Sequence, residues 1–309
     1  MRKVSYVVIS LLLFGACVPS QYGETENSTM SLRIGVMMVL DSFPIIIAEE
    51  RGFFYDEGLV VTLDRFTSGV ERDIAFQVND DMDGLMLDMI GLAMFSEGGV
   101  EKIMLTNTIG IAAVLGATGI AAMEDLKGGT VLAARNSAMD YILYVALIHA
   151  GIPEDEINFV EIPAVPTRME MLLGEQAEGA LLPEPFLTLA NQQGAEIIAD
   201  TRGLGVNPFG ITVRRSTAEE NGNALLAFIR ALDRAVDYIN SSPRDEVMDL
   251  LIELAGFPEA LRGTFNVPVF PKFTSPSADA LDSAFEFSRH RGILAIPLRG
   301  EDVLIDLGF

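Results

Sequence analysis

The sequence predicts an α/β protein built as two lobes, and three observations carry that expectation. Short apolar runs alternate with helix-period segments from Leu32 onward, the pattern of βα units feeding mainly parallel sheets. The alternation stops and restarts, giving two α/β blocks of ordinary domain size. A tail of long helices then follows with no third βα series. The expected division puts residues 32–110 and 211–309 in the first lobe and residues 111–210 in the second, with the tail packing back on the first.

Leu32 to Val39 reads as the first strand, apolar on both faces. Asp41-Ser42-Phe43-Pro44 then supplies cap residues and a proline suited to a first helical turn, and Gly52 stops the helix. Leu59 to Phe66 is the second strand, with Ser68-Gly69 at its end. Val70, Ile74 and Val78 recur at the spacing of one helix face. Leu85 to Leu87 is a third strand ending at Asp88. The second block opens at Met123 to Gly129 and continues through strand Thr130 to Ala134. Its helix is capped by Ser137 and ended by Gly151. Strand Phe159 to Ile162, helix Thr167 to Leu173, strand Gly179 to Leu182, a helix opened by Pro183-Glu184-Pro185, and strand Ile197 to Ala199 complete it. Beyond a return strand at Ile211 lie helices over Ala224 to Asn240, Asp245 to Ala255 and Ser277 to Arg291. The strings Asp83-Gly84-Leu85-Met86-Leu87 and Glu178-Gly179-Ala180-Leu181-Leu182 echo one another, each placing an acid and a glycine before a short buried strand.

Ahead of this body, Arg2 and Lys3 precede an apolar run from Val4 to Ala16 and then Cys17, the layout of an export signal over residues 1–16. The run is shorter than the roughly 20 residues a spanning helix needs. Leu13-Phe14-Gly15-Ala16-Cys17 resembles a bacterial lipobox, which implies a diacylated Cys17, a polar tether over residues 17–31 and attachment to a membrane. Cys17 is the only cysteine, so the body contains no disulfide and no Cys-based metal site. A net charge of -23 with no Lys/Arg-rich run excludes nucleic acid as a partner.

Several strings resemble one family in order along the chain. Ala48-Glu49-Glu50-Arg51-Gly52-Phe53-Phe54 through Glu57-Gly58-Leu59-Val60-Val61 is similar to the helix end and turn that lead into the second strand of the type 2 periplasmic solute-binding proteins, in the nitrate, sulfonate, taurine and thiamine-precursor uptake group. Met82-Asp83-Gly84, Asp125-Leu126-Lys127-Gly128-Gly129, Ala150-Gly151-Ile152 and Glu184-Pro185-Phe186 are also similar. The resemblance implies two lobes with mixed sheets flanked by helices and a ligand cleft between them that closes about two crossover segments. It implies a monomeric lipoprotein of the cell envelope that captures a small-molecule ligand and delivers it to an ABC permease and its ATPase.

Loops that follow parallel strands are where such a cleft collects its contacts. Asp41, Ser42 and Phe43, then Ser68 and Gly69, then Asp88, then Arg135, Asn136 and Ser137, and finally Glu184 stand in those loops. Arg135 is a cation beside a helix start and suits an anionic ligand group; its bland alternative is a surface ion pair. Phe43 and Tyr141 suit stacking on a flat ligand, or equally core packing. The only histidines are His149 and His290, and no nucleophile elbow, P-loop, paired-histidine motif or dinucleotide fingerprint is present. A non-enzyme without cofactor or metal is therefore expected. Two other classes stay open: a sensor input module, and a relative of the fungal thiamine-pyrimidine synthases, whose Cys-rich motif and active-site histidine this chain lacks. Without tryptophan and with an acidic balance, the ligand expectation leans to a neutral or zwitterionic heterocycle such as a pyrimidine vitamin precursor, ahead of nitrate or a sulfonate.

Overall fold

The computed structural model describes residues 30–308. The signal over residues 1–16, Cys17 and the tether as far as residue 29 lie outside the described residues. Strands β1 (Met30–Met37), β2 (Leu59–Phe66), β3 (Gly84–Asp88) and β4 (Lys102–Asn107) come first. The chain then crosses to β5 (Ala112–Gly116), β6 (Thr130–Ala133), β7 (Asn158–Glu161), β8 (Gly179–Pro183) and β9 (Glu196–Asp200), and returns as β10 (Phe209–Arg214). Two five-stranded sheets result, ordered β2-β1-β3-β10-β4 and β7-β6-β8-β5-β9. Each crossover ends in the fourth slot of the sheet it enters. There β10 lies antiparallel to β3 and β4, and β5 antiparallel to β8 and β9. The other pairings are parallel, so both sheets are mixed.

Helices α1 (Phe43–Glu50), α2 (Phe53–Asp56), α3 (Gly69–Val78) and α4 (Met89–Glu97) belong to the first sheet. The helices α5 (Ala138–Ala150), α6 (Val165–Leu173), α7 (Phe186–Gln192) and α8 (Thr201–Leu204) flank the second. The tail supplies α9 (Arg215–Glu220), α10 (Gly222–Ser241), α11 (Arg244–Ala255) and α12 (Ala278–His290). One apolar stripe of α10, including Leu225, Phe228, Leu232 and Val236, is buried on α1, α2 and strands β1 and β2. Phe228 stacks on Phe54 at 5.3 Å. Each such side chain contributes roughly 1.5–3 kcal/mol of burial, which is what holds the tail on the first sheet. On the opposite face Phe285 and Leu281 of α12 join Leu92 of α4 and Phe76 of α3 in a second core. The second sheet is sandwiched likewise, with Ile142 and Leu143 of α5 on one face and Leu172 of α6 and Leu187 of α7 on the other.

Of the elements read from the sequence, β2 has the expected bounds, and the other placed strands and the α5, α10, α11 and α12 helices shift by a few residues at their ends. Besides the short helices α2, α8 and α9, the elements α4, β4 and β5 have no counterpart in that reading. The reason is burial on every side. In β4 five of six residues are buried and in β5 all five, so neither shows period-2 alternation; α4, between the first sheet and α12, is apolar nearly all round and shows no stripe.

Candidate functional site

The parallel strands of both sheets end toward the crossovers, so the loops after β1, β2 and β3 and those after β6, β7 and β8 gather at the junction of the lobes. Asp88 shows the two sides meeting. Its Oδ1 caps α4, accepting from Ile90 N–H at 3.0 Å and Gly91 N–H at 2.8 Å. Burial pushes this carboxyl above its usual range, while the Gly91 N–H, the Arg72 guanidinium and the Ala138 N–H draw it down. Ala138 opens α5, so a helix N-terminus of the second lobe faces a helix cap of the first.

The crossovers form the floor of this junction. Asn207 donates from Nδ2 to the Thr108 carbonyl at 2.8 Å, and Thr108 N–H reaches the Phe209 carbonyl at 3.2 Å, which ties the two connections side by side. Gly110 has φ +61, and a Cβ there would stand 2.0 Å from Asn207 Oδ1, so this position requires glycine. Asp41, buried, accepts the Gly110 N–H at 2.9 Å and the Thr108 hydroxyl. Burial raises its carboxyl pKa against those two bonds. A cavity of about 110 Å³ beside the crossovers is lined by Asp41, Asn107, Thr108, Asn207, Lys272 and Thr274, among others.

The sequence-derived residues divide in two groups. Asp41, Ser68, Gly69, Asp88, Asn136, Ser137 and Glu184 all stand in the strand-end loops of this junction. Ser137 caps α5 through Met139 N–H at 3.2 Å, as the sequence predicts, and Ser68, read there only as the end of a strand, caps α3 through Glu71 N–H at 3.4 Å. Asn136 takes the left-handed conformation that asparagine tolerates. Glu184 is buried and holds the start of α7 through the Thr188 hydroxyl at 2.8 Å and N–H at 3.2 Å; burial raises its pKa against those bonds.

Of the remaining four, Ser42, Phe43 and Tyr141 are buried and correct the ligand-binding expectation. Ser42 is fully buried and donates to the Val39 carbonyl at 2.8 Å; neither it nor Asp41 caps α1 with its side chain. Phe43 is fully buried against Phe270, because α1 turns it into the core beneath α10. Tyr141 lies edge-on to Phe287, with its hydroxyl 3.0 Å from Ser283 Oγ, so it joins α5 to α12. Arg135 is exposed in the same strand-end loop as Asn136, its guanidinium 4.0 Å from the Phe159 ring. Three cations not singled out from the sequence are the buried ones, Lys102 on β4 and the helical arginines Arg72 and Arg168. The only sequence signal of the two arginines is a place in the first turns of a helix that follows an outer strand.

No curated protein sequence matches the chain. Its fold is similar to that of the periplasmic aliphatic sulphonate binding protein SsuA from Escherichia coli, at 18% identity over 89% of this chain and 96% of that one, with a TM-score of 0.76. It is also similar to the alkanesulfonate-binding protein SsuA from Xanthomonas axonopodis pv. citri bound to MOPS (16% identity, 89% and 98% covered, TM-score 0.75). A third relative in fold is the periplasmic nitrate-binding protein NrtA from Synechocystis PCC 6803 (14% identity, 87% and 83% covered, TM-score 0.66). The model of the NMT1-like family matches residues 25–254, a stretch that takes in all ten strands and both crossovers, and the chain belongs to that family.

Proposed function

We propose that this protein is the extracytoplasmic solute-binding component of an ABC importer, a monomer anchored by lipid at Cys17, that captures a small solute between its lobes and passes it to the permease and its ATPase. The observation that carries this reading is the meeting of strand-end loops and helix N-termini from two lobes above a pair of hydrogen-bonded crossovers. Free N–H groups at helix starts suit a polar ligand, and the crossovers let the lobes, residues 32–110 with 211–309 and residues 111–210, move as bodies. The relatives in fold, binders of sulfonates and nitrate, support a binder rather than an enzyme. Asp41, Ser68, Gly69, Asp88, Asn136, Ser137 and Glu184 are the proposed cleft residues. The ligand options are a pyrimidine vitamin precursor, an alkyl sulfonate and nitrate.

A thermal-shift screen of the protein against all three classes tests the reading, since a solute bound to the native state alone raises the melting temperature by mass action. Small-angle scattering with the best hit is expected to show a smaller radius of gyration than without it, because only a ligand that binds the closed state better shifts the lobes toward it. Absence of any stabilising solute, or tight binding with unchanged compactness, overturns capture by closure.

A further inference from the structure

Helices α3 and α6 hold matching places in the two lobes, since each follows the outer strand of its sheet, β2 or β7. Each carries an arginine four residues beyond its N-cap, Arg72 after Ser68 and Arg168 after Ala164. Arg72 stands 12 residues before Gly84 and Arg168 stands 11 before Gly179, and these glycines open β3 and β8. The sequence echo between those two strands therefore extends back to the arginines. Both side chains are buried, but only one is paired: Arg72 bonds Asp73 Oδ1 at 2.7 Å and 2.9 Å. Arg168, 1% exposed, keeps Nε and Nη1 buried with no hydrogen-bond partner and has no ion pair among the described residues.

The place of Arg168 gives its unused donors a direction. Leu172, one turn further along α6, is buried in the core on the second sheet, so Arg168 lies on the sheet-facing side of the helix. Side chains on a helix lean toward its N-terminus. That end of α6 is where the chain leaves β7, level with Pro183 and Glu184 at the end of β8, on which α6 packs. The guanidinium is thus carried toward the strand-end face of the second lobe. Burial without a counter-charge lowers its pKa to about 10, still well above neutrality, so it remains a cation. A buried cation with open donors is costly unless an anion meets it, and a guanidinium fork matches an oxyanion with two parallel hydrogen bonds.

We propose that Arg168 is the charge-recognition residue of the cleft and takes an oxyanion group of the solute. The inference rests on the capture reading and narrows its ligand: a neutral pyrimidine leaves the guanidinium unpaired, whereas a sulfonate, nitrate or a phosphorylated or carboxylated heterocycle pairs it. The test is calorimetry and melting on the unaltered protein, Arg168→Met and Arg168→Lys, with pentanesulfonate, nitrate, inorganic phosphate, benzoate and a neutral aminopyrimidine as probes. The expected result is that an anionic probe binds the unaltered protein, binds Arg168→Lys at least tenfold more weakly, and binds Arg168→Met a hundredfold more weakly or not at all. In the absence of probe, Arg168→Met should melt higher than the unaltered protein, because an unpaired buried charge has been removed. A lower melting temperature of ligand-free Arg168→Met would mark a structural arginine and overturn the assignment. So would anion binding unchanged in Arg168→Met, or a neutral probe that binds both proteins equally while no anion binds. Failure of every probe with the unaltered protein overturns the capture reading and this assignment together.

Discussion

Lys102 is buried at 1% exposure on strand β4, with Nζ 3.0 Å from the centroid of Phe76 and 4.5 Å from that of Phe95. Its ammonium has no hydrogen-bond partner among the described residues, and burial, with nearby Arg214 reinforcing it, pushes its pKa down to about 6. An unfolded lysine titrates near 10.4. Between these values the unfolded chain holds a proton that the folded chain lacks, so the Lys102 contribution to stability rises with pH from about 6 to about 10 and is at its least favourable below 6. Lys102→Met is expected to raise stability at pH 7 by about 1–3 kcal/mol, the cost of a buried polar group without a partner, and to flatten stability across that window. Chemical denaturation at pH 6, 7.5 and 9 checks both; a destabilised variant or an unchanged slope counts against a neutral buried amine. The cap at Ser137 was legible in sequence because a cap is a local bond. The fates of Lys102, Arg72 and Arg168 were not, because burial of a cation is decided by elements distant in the chain.

At the scale of elements, the contact between α5 and α12 joins the lobes at a place no periodicity announces. Asp140, fully buried on α5, accepts Arg291 Nη2 at 2.9 Å and the Asn136 N–H at 3.1 Å. Arg291 also reaches Glu154 at 2.5 Å, and Tyr144 packs on Phe287 at 5.1 Å. Removing one partner of a buried ion pair leaves the other desolvated, so Asp140→Ala is expected to destabilise the protein by about 3 kcal/mol. His290, exposed and 2.9 Å from the same Glu154, is the control: His290→Ala should cost under about 1 kcal/mol. Equilibrium unfolding of the two variants separates them, and equal losses would show that Asp140 is not the anchor. The sequence reading placed both helices within a residue or two, since each has its own cap and stop. It left Tyr141 between stacking on a flat ligand and core packing, and the ring turns toward a helix of the tail.

For the whole molecule, the proposed anchor sets where capture happens. Cys17→Ser is expected to leave the fold intact and release the protein from membranes into the soluble fraction, because two acyl chains suffice for firm attachment and none remains. Fractionation after a high-salt wash checks it, and a variant that stays with the membrane while its signal is removed counts against the lipid anchor. By itself the sequence determined the α/β class, the two blocks, most strands and the loops at their ends, because hydrophobic period, caps and turn glycines act over a few residues. Only the tertiary structure decided which strand enters which sheet, with β10 and β5 in matching antiparallel slots, and where the apolar strands β4 and β5 lie. It also decided which charges are withdrawn from water. Those outcomes depend on crossovers and on packing between segments a hundred residues apart, and a buried Arg168 reads in sequence like any arginine on a helix.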